Sequence, residues 1–295
     1  MAFSFYYSHL KTNSLTRESA FEVLKELEIL KEQNCPICNH SMVIHRDRSK
    51  STGVRYFCKI CRKYFDVRTF TPFSGFRVKI VDILRIILLF TESNSNEIIL
   101  RETGLAKSTI TKVLTLIRMR IHNFIESTMS SQALDLEVEI DETLIARRKY
   151  ERGRIVEQQW LFGAVERDGG RFFLKTVERR DATTLGSLIR TWIREDSVVY
   201  SDEWPAYARV FSECGDMYIH RSLNHGENFV SPTDRRVHTQ TIESLWSSLK
   251  RHLRSRNLNN RERLELYLSE FTYRKLNQAL SREELYLSLV QLIFN

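Results

Sequence analysis

Two sets of side chains in this sequence could do chemistry: four cysteines near the amino terminus and three acids in the second half. Cys35 and Cys38 form one CxxC pair, and Cys58 and Cys61 form another beyond positions 39–57. A structural zinc ion needs four ligands in a tetrahedron, and each CxxC turn supplies two thiolates. A hairpin of this length returns the second pair beside the first. We therefore predict a structural zinc site, in preference to isolated buried cysteines or a redox pair.

Asp141, Asp202 and Glu243 are the acids whose predicted positions could bring them together. Asp141 ends the alternating stretch 136–140, Asp202 follows the apolar run 198–200, and Glu243 lies early in an amphipathic helix. Acids at strand ends and on a helix can meet at one edge of a mixed sheet, where oxygen ligands bind magnesium or manganese. Two such ions about 4 Å apart support phosphoryl transfer. A single acid is more often a solvated charge, so the prediction depends on the three together.

The elements that would position these residues follow from the hydrophobic periodicity. We predict helices over 14–32, 78–90, 97–103, 108–125, 181–195, 203–214, 239–254 and 260–277. We predict strands over 136–140, 160–166, 171–177, 197–200 and 217–220, with a hairpin turn at 168–170. Strands and helices that alternate in this way indicate an α/β domain.

The charge balance favours a polyanionic partner. The chain has 45 Lys and Arg against 37 Asp and Glu, a net charge of +8, which suits nucleic acid first and an acidic membrane surface second. The most apolar stretch, 80–90, is interrupted by Asp82 and Arg85 and is half the ~20 residues of a membrane span. No secretory signal pattern opens the chain. We expect a soluble, intracellular protein with no membrane partner.

Residues 97–121 read as two helices joined at Gly104, the pattern of a helix-turn-helix that inserts its second helix into the major groove. An ordinary helical hairpin fits the same pattern. The candidate DNA contacts on the second helix are Lys107, Ser108, Thr109, Thr111, Lys112 and Arg118. Further candidates follow the first strand, where solvated charge is the alternative: Arg147, Arg148 and Lys149. The last candidates are His238, for which a hydrogen-bonded loop histidine is the alternative, and Lys250 and Arg251 on the helix of Glu243.

The second half of the chain resembles the DDE domain of the Merlin superfamily of transposases and its bacterial insertion-sequence relatives. The resemblance lies in Glu139-Ile-Asp-Glu-Thr143, Phe162-Gly-Ala-Val-Glu-Arg167, Tyr200-Ser-Asp-Glu-Trp-Pro-Ala-Tyr207, Leu223-Asn-His225, His238-Thr-Gln-Thr-Ile-Glu-Ser244 with Trp246 and Lys250, and Glu270-Phe-Thr-Tyr-Arg274. The motif around Cys58 and the Thr71-Pro-Phe73 that follows also resemble the amino-terminal region of that family. The matches come in the expected order over most of residues 33–278.

The resemblance implies a ribonuclease H-like mixed sheet flanked by helices, preceded by a zinc ribbon and a helix-turn-helix. It places Asp141, Asp202 and Glu243 on the metal-binding positions for two Mg2+ or Mn2+ ions and Lys250 beside them. We expect four segments: an N-terminal helical segment (1–33), a zinc ribbon (34–70), a helix-turn-helix module (76–128) and a catalytic domain (134–295).

The implied activity is cut-and-paste transposition, in which a transposase binds terminal inverted repeats, hydrolyses a phosphodiester at the end of the element and joins the freed 3′ hydroxyl to target DNA. The expected partners are double-stranded DNA and further copies of the chain, as a homodimer or larger assembly. Two alternatives remain open: a domesticated DNA-binding regulator that does not cut, and a structure-specific nuclease acting on junctions or RNA hybrids. The expected compartment is the nucleus in a eukaryotic host and the cytoplasm or nucleoid in a bacterial one.

Overall fold

The structure is a computed structural model of the chain that describes residues 2–12, 14, 16–50, 52–129, 133–146, 159–168, 170–223, 238–254 and 261–294. The chain divides into two compact units. The first consists of residues 1–121 together with 277–295, and the second of residues 122–276. Among the helices of the described residues, none combines the length and apolar content needed to cross a membrane.

The first unit has a helical core and a small sheet. Its elements are α1 (Ala2–Thr12), α2 (Arg17–Glu26), β1 (Val43–Arg46), β2 (Val54–Phe57), β3 (Tyr64–Phe65), α3 (Ile80–Thr91), α4 (Asn96–Thr103), the first part of α5 (Lys107–Met129) and α10 (Arg282–Phe294). Nearly all of α3 is buried. In α10, Tyr286 is fully buried and its hydroxyl donates to the carbonyl of Leu84 at 3.4 Å. Helix α10 thus belongs to the first unit, whereas the expected boundaries assign 277–295 to the catalytic domain.

The small sheet carries the cysteines. Strand β2 pairs antiparallel with β1 on one side and with β3 on the other. Cys35 and Cys38 precede β1, and Cys58 and Cys61 lie in the turn between β2 and β3. The pairing of β2 with both neighbours therefore brings the two CxxC turns to one end of the sheet.

Helices α4 and α5 follow each other with a tight turn between them. Gly104 ends α4 with a φ of 64°, in the left-handed region that glycine occupies without strain. Helix α5 begins at Lys107, and its inward side chains Ile110, Val113 and Ile117 are buried. The turn matches the predicted hairpin of helices.

The second unit contains a five-stranded mixed sheet with four helices. Its elements are β4 (Glu137–Ala146), β5 (Gln159–Glu166), β6 (Phe172–Val177), α6 (Ala182–Trp192), β7 (Val198–Asp202), α7 (Pro205–Cys214), β8 (Ile219–Leu223), α8 (Gln240–Leu253) and α9 (Arg261–Leu276). The strand order is β6-β5-β4-β7-β8. Strands β4, β5 and β6 are antiparallel neighbours, and β4, β7 and β8 run parallel.

Helices cover both faces of this sheet. Val138 and Ile140 of β4 pack into a core with α6 and α7. Leu161 and Val165 of β5 pack into a second core with α8 and α9. Successive strand residues point to opposite faces, so in β4 Glu139 and Asp141 point to the α8 side, opposite Val138 and Ile140. The fold class is α/β, as predicted.

The element boundaries differ from the predictions in two ways. Strand β4 does not end at Asp141 but continues to Ala146, because β5 pairs with it over that whole length. Asp141 is therefore an interior strand residue, not a strand-end residue. The periodicity analysis also missed the terminal helices α1 and α10.

Candidate active site

The pairing of β4 with β7 puts two of the predicted acids side by side. The parallel register pairs Glu139 with Tyr200. Two residues further along, β4 reaches Asp141 and β7 reaches Asp202. Neighbouring strands lie about 5 Å apart, and residues two positions apart share a face. Asp141 and Asp202 are thus adjacent, on the α8 face and near the carboxyl end of β7.

Trp246 connects α8 to this pair. Its indole Nε1 donates a hydrogen bond to Asp141 Oδ2 at 2.8 Å. Its ring lies over Gly163, the β5 residue paired with Asp141. A Cβ atom at Gly163 would come within 2.5 Å of the Trp246 ring. Only glycine at this position lets the helix approach the strand closely enough for the bond to Asp141.

Glu139 fastens the start of α8 to the same strand. Its side chain is fully buried and accepts from the backbone N–H of Ile242 at 2.9 Å and from the hydroxyl of Thr241 at 3.0 Å. A carboxylate at a helix N-terminus satisfies an N–H group that has no partner within the helix and complements the helix dipole. Glu243, one residue after Ile242, is therefore held in the first turn of a helix anchored two residues from Asp141.

Arg167 completes this anchor. Its Nε donates to Glu139 at 2.9 Å, another of its nitrogens bonds the carbonyl oxygen of His238, and its guanidinium lies 3.4 Å from the ring centre of Tyr200. The imidazole Nδ1 of His238 lies 3.2 Å from Glu139. A buried charge is tolerated when it is paired and hydrogen-bonded, and here the pair joins β4, the end of β5 and the segment before α8.

A second buried acid lies on the other face of β4. Burial, together with the charges of Asp141 and Asp202, raises the pKa of Glu142 to about 7, although a hydrogen bond from the Tyr207 hydroxyl acts in the opposite direction. Burial and the charge of Glu142 also raise the pKa of Tyr207 well above its usual range. Both aspartates influence the same two groups, which is consistent with their adjacent positions.

The third acid, Glu243, does not form a compact cluster of ligand atoms with both aspartates. Among the described residues, the four cysteines are the only group of three or more Cys, His, Asp or Glu with ligand atoms all within 4.8 Å of one another. Asp141, Asp202 and Glu243 do not meet this distance together. Glu243 is exposed on α8, as is Lys250 two turns later. The donors of all three side chains are carboxylate oxygens, the ligand type that magnesium or manganese prefers.

The four cysteines fit one zinc ion. Their sulfur atoms lie 3.4 Å apart for Cys35 and Cys61, 3.4 Å for Cys38 and Cys58, and 3.7 Å for Cys38 and Cys61. Tetrahedral zinc with bonds of about 2.3 Å separates its sulfur ligands by about 3.8 Å. The backbone N–H of Cys61 lowers the pKa of Cys58 to about 6, which favours the thiolate that binds metal.

Replacing a cysteine of this cluster should remove zinc and unfold the ribbon, because a structural zinc site contributes directly to folding. We expect Cys58→Ser to lose bound zinc when metal content is measured by elemental analysis. Cys214→Ser is the matched control, because Cys214 is buried on α7, outside the cluster. Equal zinc content in the two variants would contradict the assignment.

Gly163→Ala should destabilise the second unit. The added methyl would meet the Trp246 ring, which is buried, and overpacking of this kind costs about 1–3 kcal/mol. Thermal unfolding should show a lower Tm. In the control Gly186→Ala, the nearest atom lies 3.3 Å away at the end of the flexible Arg190 side chain, so the Tm should change little. A Gly163→Ala variant as stable as the control would mean that Trp246 can shift away from Asp141.

The predicted DNA contacts fall into three groups. The first group lies on α5 or α8, and all of its members except the half-buried Thr109 are exposed: Lys107, Ser108, Thr109, Thr111, Lys112, Lys250 and Arg251. Two residues turn inward: Arg118 is 8% exposed with its guanidinium 5.4 Å from the Phe90 ring centre, and His238 turns its Nδ1 to Glu139. Both side chains face protein groups in this structure, and their role as DNA contacts stays a prediction. Arg147, Arg148 and Lys149 lie outside the described residues.

Sequence reasoning missed the residues that hold the acids in place. Glu139, Arg167 and Trp246 appeared in it only as parts of motifs, without a role. Acids at alternate positions of the strand containing Val138 and Ile140 were a usable signal, because such a pattern puts charge on one face of a strand covered by helices. Nothing local indicates the partners of Glu139, which come from distant segments.

Comparison with known proteins relates the chain to transposases. Residues 133–275 match a family described as an ISXO2-like transposase domain. An uncharacterized transposase-like protein of Haemophilus influenzae is 30% identical over 108 residues, which are 36% of this chain and 82% of that protein. A chain in the structure of a simian T-cell lymphotropic virus intasome bound to the PP2A regulatory subunit B56 gamma aligns at 15% identity over 65% of this chain and 69% of its own, with a TM-score of 0.34, too low to establish a shared fold. The chain therefore belongs to a transposase family.

Proposed function

We propose that the chain is a cut-and-paste DNA transposase that cleaves the ends of its element and joins them to target DNA. The observation that carries the proposal is the adjacency of Asp141 and Asp202 on parallel strands, with α8, the helix of Glu243, bonded to β4 through Ile242 and Trp246. The mixed sheet of order β6-β5-β4-β7-β8 with helices on both faces supports the ribonuclease H-like fold that this proposal requires. The sequence motifs further support a place with the Merlin superfamily and its bacterial relatives.

Asp141, Asp202 and Glu243 would hold two magnesium or manganese ions. The chemistry that such ions supply when bound is activation of the attacking oxygen and stabilisation of the leaving one. The protein would contribute the positions: β4 and β7 would hold the two aspartates side by side, and α8 would carry Glu243 on the same face of the sheet. Lys250 lies seven residues after Glu243 on the exposed side of α8, where its ammonium could pair with a DNA phosphate.

The amino-terminal unit would recognise the element. The exposed Lys107, Ser108, Thr111 and Lys112 open α5 after the Gly104 turn, as in a helix-turn-helix whose second helix reads base edges. The cysteine cluster stabilises a ribbon rich in cations that could contact phosphates. Cleavage of two ends would require two copies of the chain on DNA.

The experiment is incubation of the purified protein with magnesium and duplexes carrying the sequences that flank its own coding region. We expect cleavage at the element ends with a free 3′ hydroxyl, and no cleavage in a chelator. Binding without cleavage would instead favour the alternative of a domesticated DNA-binding regulator. Equal cleavage of unrelated junctions would favour the structure-specific nuclease.

A further inference from the structure

An exposed tryptophan lies beside the proposed cleavage site. Trp204 is 38% exposed, although a large aromatic side chain is usually mostly buried. It lies two residues after Asp202, and its backbone N–H donates to Asp202 Oδ1 at 3.0 Å. The backbone of Trp204 is therefore bonded directly to one of the proposed metal ligands, and its exposed indole lies close to that residue.

The orientation of this indole is fixed. Its Nε1 donates to the carbonyl oxygen of Arg180 at 3.3 Å. The guanidinium of Arg180 lies 4.5 Å from the Trp204 ring centre and 3.7 Å from that of Trp160. Pro205, the first residue of α7, limits the backbone after Trp204. A ring held on several sides yet open to solvent is ready to stack on a flat ligand without a large loss of rotamer freedom.

The distance from Asp202 restricts what the ring can reach. Two residues of chain span at most about 7 Å between Cα atoms, a length that corresponds to about two nucleotides along one strand. Inside a duplex, neighbouring pairs cover both faces of each base. An indole can therefore stack only on a base at an end or out of the helix.

We propose that Trp204, with Arg180 packed against its ring, is a stacking platform for one unpaired nucleobase of the DNA. This base would lie next to the phosphate that is cleaved beside Asp202. This inference rests on the proposed function. Stacking tolerates all four bases, because each has a π-face. The platform would favour DNA whose strands have separated at the cleavage point and would hold the cut strand in place.

The test uses the full chain without divalent ions, so that no DNA is cut, and two duplexes of one sequence. One duplex is fully paired, and the other ends in an unpaired 2-aminopurine nucleotide, whose fluorescence falls when it stacks. We expect the wild type to quench this fluorescence and to bind the unpaired duplex about fivefold or more tighter than the paired one. Trp204→Ala should lose both effects, and Trp204→Phe should keep most of each.

Two controls make the result specific. Trp204→Ala should bind the paired duplex like the wild type, which shows that it is folded. Met217→Ala removes another exposed apolar side chain, 43% exposed and just before β8, at the opposite end of the parallel strands from Asp202, and should behave like the wild type. The platform is overturned if Trp204→Ala keeps the quenching and the preference, or if Trp204→Phe loses them as completely as Trp204→Ala.

A failure of the stacking platform can be distinguished from a failure of the proposed function. If the wild type shows neither the quenching nor the preference but cleaves DNA normally with magnesium, the platform alone is removed. Quenching that depends on Trp204, in a protein that cuts no DNA, would leave the platform and remove the transposase reaction.

Discussion

Asp202→Asn is expected to lower the rate of magnesium-dependent DNA cleavage by about a thousandfold, since a bound metal contributes several kcal/mol to stabilising the transition state. The substitution keeps the shape of the side chain and can still accept the hydrogen bond from the Trp204 N–H. It removes the charge that a divalent cation needs beside Asp141. DNA binding, measured by gel shift in the absence of magnesium, should stay close to that of the wild type.

Asp196→Asn is the matched control for this prediction. Asp196 is exposed just before β7, at the opposite end of that strand from Asp202, and its positive φ of 65° suits asparagine as well as aspartate. Cleavage by this control should be unchanged. Wild-type cleavage by Asp202→Asn would remove the residue from the catalytic centre, and with it the proposed pairing with Asp141.

Glu139→Gln should have the second largest effect, on both stability and cleavage. A glutamine amide has one acceptor oxygen, so it cannot accept from Arg167, Thr241 and Ile242 with both terminal atoms as the carboxylate does. The substitution also leaves the guanidinium of Arg167, which is 8% exposed, without its buried charged partner. Breaking a buried ion pair in this way costs about 3–5 kcal/mol. Release of the start of α8 should also reduce cleavage about 10–100-fold in folded protein, as for other residues that position metal ligands.

The neighbouring Glu137 provides the control. It pairs with the same Arg167 at 3.3 Å from the same strand, but its side chain is 44% exposed. An exposed ion pair contributes about 0–1 kcal/mol, so Glu137→Gln should change Tm and cleavage only slightly. Chemical unfolding and DNA-cleavage assays on Glu139→Gln and Glu137→Gln measure the effects on stability and on activity. Equal effects would show that burial of Glu139 does not anchor α8.

The proposed catalytic arrangement depends on interactions between distant segments more than on the acids themselves. Trp246 reaches Asp141 only because Gly163 of β5 leaves room for the ring. Glu139 and Arg167 hold the start of the helix that carries Glu243. We expect substitutions at these supporting positions to lower cleavage without any change in the metal ligands, and the Gly163→Ala variant allows this to be measured.

The sequence alone was enough to predict the features that local patterns encode. The spacing of the CxxC pairs predicted the cysteine cluster, because two short turns joined by a hairpin can form a tetrahedral site without help from distant segments. Alternating and helical periodicity predicted the α/β class of the second unit and the strand or helix of each acid. These signals survive in isolation because they arise from neighbours a few residues apart in the chain.

The tertiary structure alone decided which residues meet. Strand β4 passes through Asp141 to Ala146 because β5 pairs with it, and α10 joins the first unit because Tyr286 is buried there, with its hydroxyl bonded to Leu84. The contacts of Glu139 with Arg167 and Ile242, and the inward position of Arg118, also require residues far apart in the chain. Burial and long-range pairing depend on how whole elements pack, and the free energy of that packing is not contained in any one segment.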